Sequence, residues 1–455
     1  MSTRGSRTPA ADTESDTAAS GDRVQADAAS LRAAYVLFLG MGLATLLPWN
    51  LFISASEFFK HQFGGSPHQQ TFQNSFSVVY MVTNFASNIY AMLTVTRSSP
   101  NRRIVLGLAA NTLAYTVGVA MPFMSGLRGS ASFYVALAQL ATCAVASGML
   151  TNSLFALVAH FPAAHAEGIL SGQAVAGIIA TAAQLLTAYS VSPGAAARVS
   201  SRSLPPAADG LILRTVAYFV FATAVNLALT AGFWRVSRDP YYQQQSKLAY
   251  QSDAPLDSSD DESEQLIAIA LPSAPASPVA SDVAAFKQTF RDISGYCYVI
   301  IVDFALTLSV FPSVTALVTS TTGFELLTEW HFFIYNIGDF LGRRFAPSIR
   351  VSGVSSLMSI GLLRILLVPA FFACHVSFSV WYNGIQSDQV FLVLVLLLGL
   401  SNGFLSTRAA MVAPGLSAYP TIAGSIVAIS ISSGLALGSV LSWPVRAAGC
   451  LCIPF

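Results

Sequence analysis

Charge is what this 455-residue sequence has least of. Asp, Glu, Lys and Arg make up only 10% of it, against 54% hydrophobic residues, and the mean hydropathy is +0.59. A soluble domain carries roughly 25% charged residues, so a water-soluble protein of this length is excluded. Its 23 basic and 22 acidic residues leave a net charge of +1 with no strongly basic run, which argues against a nucleic-acid partner. Cysteine is also scarce. Cys143, Cys297 and Cys374 lie in apolar stretches, and Cys450 and Cys452 form a C-x-C. None has the C-x-x-C spacing of a zinc or redox site, so no metal or cofactor is expected. Equally missing are an N-x-[ST] sequon, a G-x-S-x-G, an H-E-x-x-H, a phosphate loop, a histidine cluster and any repeat of helical-array length. No catalytic residue is expected.

Present instead are apolar blocks of membrane-crossing length, about 20 residues each: 33–55, 75–95, 104–125, 132–160, 167–189, 212–235, 295–319, 328–345, 352–376, 389–411 and 422–447. They predict an all-α polytopic membrane protein with about eleven transmembrane helices. The block 328–345 fits least well, since it holds Asp339, Arg343 and Arg344. With a cytoplasmic N-terminus, fifteen Lys and Arg fall in inner segments and five in outer ones, the bias of the positive-inside rule. An odd number of spans then puts the C-terminus outside the cytoplasm.

The chain divides by composition. Residues 1–32, rich in Ser, Thr, Ala and Asp without a signal-peptide core, read as a disordered cytoplasmic tail. Residues 33–236 hold six spans, 237–290 read as a disordered cytoplasmic linker, and 291–455 hold five spans. The linker contains ESEQLI, in which Glu262, Leu266 and Ile267 form an acidic dileucine-like pattern of the kind sorting adaptors read. The expected location is the plasma membrane or a vacuolar or lysosomal membrane.

Ionisable residues at bilayer depth are costly and are functional candidates by default. Phe332, Asn336, Asp339 and Arg343 are spaced 4, 3 and 4, which puts them on one helix face. Asp339 and Arg343 there form either a solute site or a structural ion pair at the end of a helix. Pro48 kinks the first span ahead of Trp49 and Asn50; the Trp reads as a platform for a flat ring or as an interfacial anchor. Gln173 lies among Gly168, Gly172 and Gly177, and a buried amide needs partners. Asp303, followed by Phe311 and Pro312, reads as a lone carboxylate that either titrates or is structurally satisfied. Arg364 and Arg408 also fall in apolar blocks and need a carboxylate or a cavity. Two aspartates on neighbouring spans suggest an intramembrane aspartyl protease, but Asn-Ile-Gly precedes Asp339 where such enzymes have Gly-x-Gly, and Arg343 lies one turn on.

Taken in order, these blocks resemble the equilibrative nucleoside transporter family. TLLPWNLFISASEFF resembles its first-span signature and SGQAVAG its fifth-span block, and DPYYQQQ follows the sixth span as in that family. LSVFPSVT, NIGDFLGR, LLRILLVPAF, GLSNGFL, MVAP and SGLALGSVLSWPVRA resemble its later spans. The resemblance implies a major-facilitator-like 6+5 arrangement and alternating access for a nucleoside, or in some members a nucleobase. It implies that Trp49, with Leu46 and Ile53 one turn to either side, contacts the base and that Gln173 hydrogen-bonds it. Asp339 and Arg343 would hold the ribose or a gating network, with Asn336 and Phe332 on the same face and Phe311 and Pro312 opposite. Asp303 and Asp339 are the candidate proton sites, since members with and without proton coupling are known. Two features depart from the family: Gly338 stands where a larger residue is usual, and Ser406, Thr407 and Arg408 replace an apolar or small run, which bears on the pore charge near the tenth span. A carrier of another polar solute, such as a sugar, is the alternative; it predicts a more polar first span than Thr45 and Asn50 provide.

Overall fold

Within hydrocarbon every backbone N–H and C=O must be satisfied inside its own segment, so long apolar blocks have to be helices. The computed structural model describes residues 27–69, 71–124, 126–191, 207–251, 278–351, 353–376 and 384–449. It places helices at α1 Ala28–Ser54, α2 Phe72–Leu93, α3 Pro100–Ala120, α4 Ser130–Val158, α5 Ala164–Val191, α6 Ala207–Val236, α7 Pro278–Val310, α8 Leu327–Phe345, α9 Val354–Phe372, α10 Asp388–Val412 and α11 Pro420–Gly449. Ten of these are long and apolar enough to cross a membrane. The eleventh, α8, has the length but carries Glu329, Asp339, Arg343 and Arg344, and it survives by burying part of that charge against protein. α1 starts where the Asp27 carboxylate accepts the Ser30 N–H at 2.6 Å, an N-cap bond. α9 is interrupted by a 3₁₀ turn at Arg364–Leu366, which turns Arg364 into the interior at 4% exposure.

The pairing of helices repeats. In the first half α1 packs along α5 and α2 along α4; in the second, α7 packs along α11 and α8 along α10. Small residues permit the close crossings. A Cβ on Gly172 would collide with the Leu39 carbonyl oxygen of α1, and one on Gly403 with the Asp339 carbonyl oxygen of α8. Two seams join the halves, α5 with α8 and α11 with α2 and α4. This is the 6+5 arrangement of a major-facilitator fold.

Apolar packing differs between the two ends of the bundle. At the near end, where α1 begins, one cluster takes in both halves, from Leu37 and Phe155 to Ile422 and Val427. At the far end there are two clusters. One is built from α1–α4, α6 and the short helix Ser56–Gln62 around Phe52, Phe59 and Phe76; the other is built in the second half around Phe311, Phe371 and Phe391. The halves are therefore welded at the near end and keep separate cores at the far end.

Part of the expected linker is helix. Pro240–Gln251 forms a short helix capped by Asp239, whose Oδ1 accepts the N–H groups of Tyr241 and Tyr242. Tyr242 is buried and donates to Asn101 Oδ1 at 2.9 Å. α7 likewise begins at Pro278, inside the expected linker. The polar residues of both segments broke the apolar run in sequence, yet Tyr242 and Ile293 join the shared near-end cluster. Glu262, Leu266 and Ile267, like residues 1–26, lie outside the described residues.

His160, in the turn between α4 and α5, holds the near end from one side: its Nε2 lies 2.8 Å from Thr421 Oγ1 of α11. Burial pushes its pKa down from 6.5 to about 4. A base whose pKa is depressed by burial binds fewer protons when buried than when exposed, so this contact is unaffected above pH 6.5 and weakens as pH falls towards 4. Maleimide labelling of Val158→Cys in a cysteine-free background, taken as a ratio to an exposed control cysteine that corrects for the falling thiolate fraction, should rise over that window, and His160→Gln should flatten the ratio.

Candidate functional site

Polar residues of the spans meet along the α5–α8 seam and form a connected line in the second half. On α5, Gln173 donates through Nε2 to Thr45 Oγ1 of α1 at 3.2 Å. One turn further along α5, Gly177 leaves the space that Asn336 of α8 occupies; a Cβ there would collide with Asn336 Oδ1. Asn336 also donates to its own helix at Phe332 O, 2.9 Å away. Gln173 and Asn336 thus approach one seam from opposite halves, and both are half-buried.

One turn nearer the near end, Arg343 Nε donates to Asp339 Oδ2 at 2.8 Å, with both side chains only 6% exposed. The other carboxylate oxygen, Oδ1, accepts from Asn402 Nδ2 of α10 at 2.7 Å. Asn402 Oδ1 accepts from Thr307 of α7 at 2.9 Å, and Thr307 accepts from Arg364 Nη2 at 2.6 Å. Arg364 ends the chain on Asp303 Oδ1. Six side chains on α7, α8, α9 and α10 therefore form one buried line, Arg343–Asp339–Asn402–Thr307–Arg364–Asp303.

That line corrects the reading of Asp303 as a lone carboxylate. It is 0% exposed and is matched by Arg364, the arginine that needed a partner. Arg408 instead donates Nε to the Val351 carbonyl at 2.8 Å, at the near end. Asn402 and Thr307 were not singled out in sequence. Asn402 had a visible signal, an amide in an otherwise apolar helix; Thr307 had none, since helix threonines commonly bond their own backbone.

Two aromatic groups flank the seam. Phe311 stacks on Tyr335 at 3.9 Å between centroids and meets Phe332 edge-on at 5.3 Å. Pro312 follows Phe311 in the turns where α7 gives way to a 3₁₀ segment. In the first half, Trp49 tilts over the buried Tyr80 at 5.0 Å and packs on the far-end cluster. Trp49 is half-buried, whereas Trp234 and Trp443 are 55% and 62% exposed and are better placed as interfacial anchors. Leu46 is half-buried and Ile53 is 41% exposed. Thr45 and Trp49 share a face at i,i+4, so the Gln173 contact and the Trp49 ring line the same side of α1.

At the near end, Glu167 of α5 is 1% exposed. It accepts from Tyr35 at 2.7 Å and Ser171 at 2.5 Å, and Arg344 of α8 lies 3.9 Å away across the seam. Among the described residues no group of three or more His, Cys, Asp or Glu is arranged to hold a metal.

The sequence matches the nucleoside transporter family over residues 137–447. It is 27% identical over 455 residues to the human equilibrative nucleoside transporter 2, covering 90% of this chain and 96% of that one. It is 23% identical to the equilibrative nucleotide transporter 8 of Arabidopsis thaliana, covering 90% and 95%. Among solved structures it is similar to the proton:xylose symporter XylE (TM-score 0.57, 11% identity, 92% of this chain and 89% of that one). It is also similar to the human organic anion transporter MFSD10 (TM-score 0.53, 16% identity, 92% and 95%). At such identities these structures speak for the fold alone, which is the same two-halved helical bundle. Because the family match spans well over half the chain, this integral multi-pass membrane protein belongs to the nucleoside transporter family.

Proposed function

We propose that this chain carries nucleosides across the membrane by alternating access, with the solute bound at the α5–α8 seam. The observation that carries the reading is a buried donor without a partner: Arg343 Nη1 has no hydrogen-bond partner among the described residues, although its Nε is fixed on Asp339. An unmade hydrogen bond on a buried guanidinium is costly, and a ribose hydroxyl supplies the missing acceptor. Asn336 and Gln173 offer amides for the polar rim of a base, and Trp49, Leu46, Phe311 and Phe332 offer apolar faces, the mixture a flat heterocycle on a sugar requires.

We take the near end as cytoplasmic, as the distribution of Lys and Arg favours, and the chain as two halves split after residue 236. The structure then corresponds to the state sealed from the cytoplasm. Sealing uses the shared apolar cluster and the Glu167–Arg344 approach. Release to the other side requires those contacts to part while the two far-end cores close over the solute. The segment carrying Glu262, Leu266 and Ile267 would then face the cytosol, where sorting adaptors act. Asp303 and Asp339 each already have an arginine counter-ion, which supports transport down the nucleoside gradient without a coupled proton.

Uptake of radiolabelled adenosine and uridine into proteoliposomes tests this reading. We expect saturable uptake, unchanged by an inward proton gradient and reduced to the protein-free level by Gln173→Ala and by Arg343→Ala in monodisperse protein. No uptake of either solute by the wild-type protein would sink the assignment, and stimulation by the gradient would sink the uncoupled mechanism.

A further inference from the structure

Away from the solute site, a groove of about 530 Å³ opens between α2 of the first half and α7 and α11 of the second. Its walls are apolar, formed by Met92, Ile301, Ile426 and Ile429, and Lys287 and Arg291 stand on its rim. Both cations are exposed and are one helical turn apart on α7. The only acid beside them in sequence, Asp292, accepts a hydrogen bond from Gln288 at 2.9 Å.

The length of α7 gives the depth of that rim. The 33 residues of this helix span about 50 Å, more than the hydrocarbon core of about 30 Å. From Arg291 to its end at Val310, α7 is about 29 Å long, enough by itself to cross the core. Arg291 therefore stands at the hydrocarbon boundary, and Lys287 one turn out at headgroup level. Cations at that level above an apolar slot match an anionic headgroup with its acyl chain.

We infer that this groove binds one anionic phospholipid, its phosphate between Lys287 and Arg291 and an acyl chain along Ile301, Ile426 and Ile429. The site has a mechanical consequence. The groove lies on the seam that Asn88 and Ser432 close with a 3.0 Å hydrogen bond, so a chain filling it adds apolar contact between α2 and α11 and holds the near end shut. Membrane composition thereby sets the balance between the two access states without touching the solute site.

The test is a binding measurement and is independent of transport. Full-length protein, delipidated in detergent, is titrated with phosphatidylglycerol or phosphatidylcholine and followed by native mass spectrometry. The wild-type protein should retain one phosphatidylglycerol in preference to phosphatidylcholine. Lys287→Ala/Arg291→Ala should bind it about 30-fold more weakly, the loss expected for removing two interfacial cations, whereas Arg235→Ala/Arg238→Ala should not. Ile429→Trp, which fills the slot and leaves both charges in place, should also displace the lipid. Equal retention of the two lipids, equal loss in both alanine pairs, or wild-type binding by Ile429→Trp would overturn the site.

Discussion

Arg364→Met protein should be recovered almost wholly as aggregate, and adding Asp303→Leu should restore a monodisperse transporter. The single change leaves the Asp303 carboxylate at 0% exposure without the guanidinium bonded to it. Stranding one member of a buried pair costs about 3–5 kcal/mol, a large share of a stability of about 5–15 kcal/mol. Replacing both members with apolar residues of similar volume removes the stranded charge and is often neutral or stabilising. Asn402 still accepts from Thr307 and donates to Asp339, so the inner part of the polar line stays in place. Fluorescence-detected size-exclusion chromatography reads the recovery, and nucleoside uptake reads the function. If Asp303 were the proton carrier, the double variant would be folded and inactive, which would reverse the role given to it here.

The second large effect distinguishes two glycines. In Gly172→Val a side chain enters the crossing of α5 with α1, where a Cβ already collides with the Leu39 carbonyl oxygen. Both helices belong to one half, which has no alternative arrangement, so folded protein should be lost. In Gly424→Val the collision is with the Phe155 carbonyl oxygen of α4, across the boundary between halves, and the strain is relieved by parting the near end. Overpacking of this kind costs about 1–3 kcal/mol, which moves a two-state balance about 5- to 150-fold. Gly424→Val should remain monodisperse, label rapidly at Val158→Cys and carry little solute. Aggregation of both variants alike would mean that the near-end contact is part of the fold and not a gate.

The number of helices and their order were legible because hydrophobic runs of fixed length report directly on the bilayer. The same rule misjudged the ends of helices that leave it. In the helix at Pro240–Gln251 and the early start of α7, Gln, Ser, Lys, Arg and Asp interrupt the apolar residues too often for a membrane-crossing run, and Tyr242 and Ile293 find their partners in the folded near end. The i,i+4 pairing of Asp339 with Arg343 was readable because helix geometry fixes local neighbours. The pairing of Asp303 with Arg364 spans 61 positions and depends on a 3₁₀ turn no local pattern announced. Trp49 remained ambiguous in sequence for a related reason: a Trp beside lipid and a Trp over Tyr80 have the same neighbours along the chain.

The composition of α8 bears on how the protein is made. A charged residue near the centre of a helix raises the cost of entering the bilayer by about 2.5–3.5 kcal/mol during synthesis, and α8 carries four charges in 19 residues. Glu329, Arg343 and Arg344 lie towards its ends, but Asp339 has no such exit. Its second partner, Asn402, is 63 residues later, on a helix that has not been translated when α8 leaves the ribosome. Arg343, one turn on in the same helix, already offsets part of that cost, and Asn402 adds to the offset only once α10 is made, so truncation before Asn402 should lower the fraction of α8 that inserts.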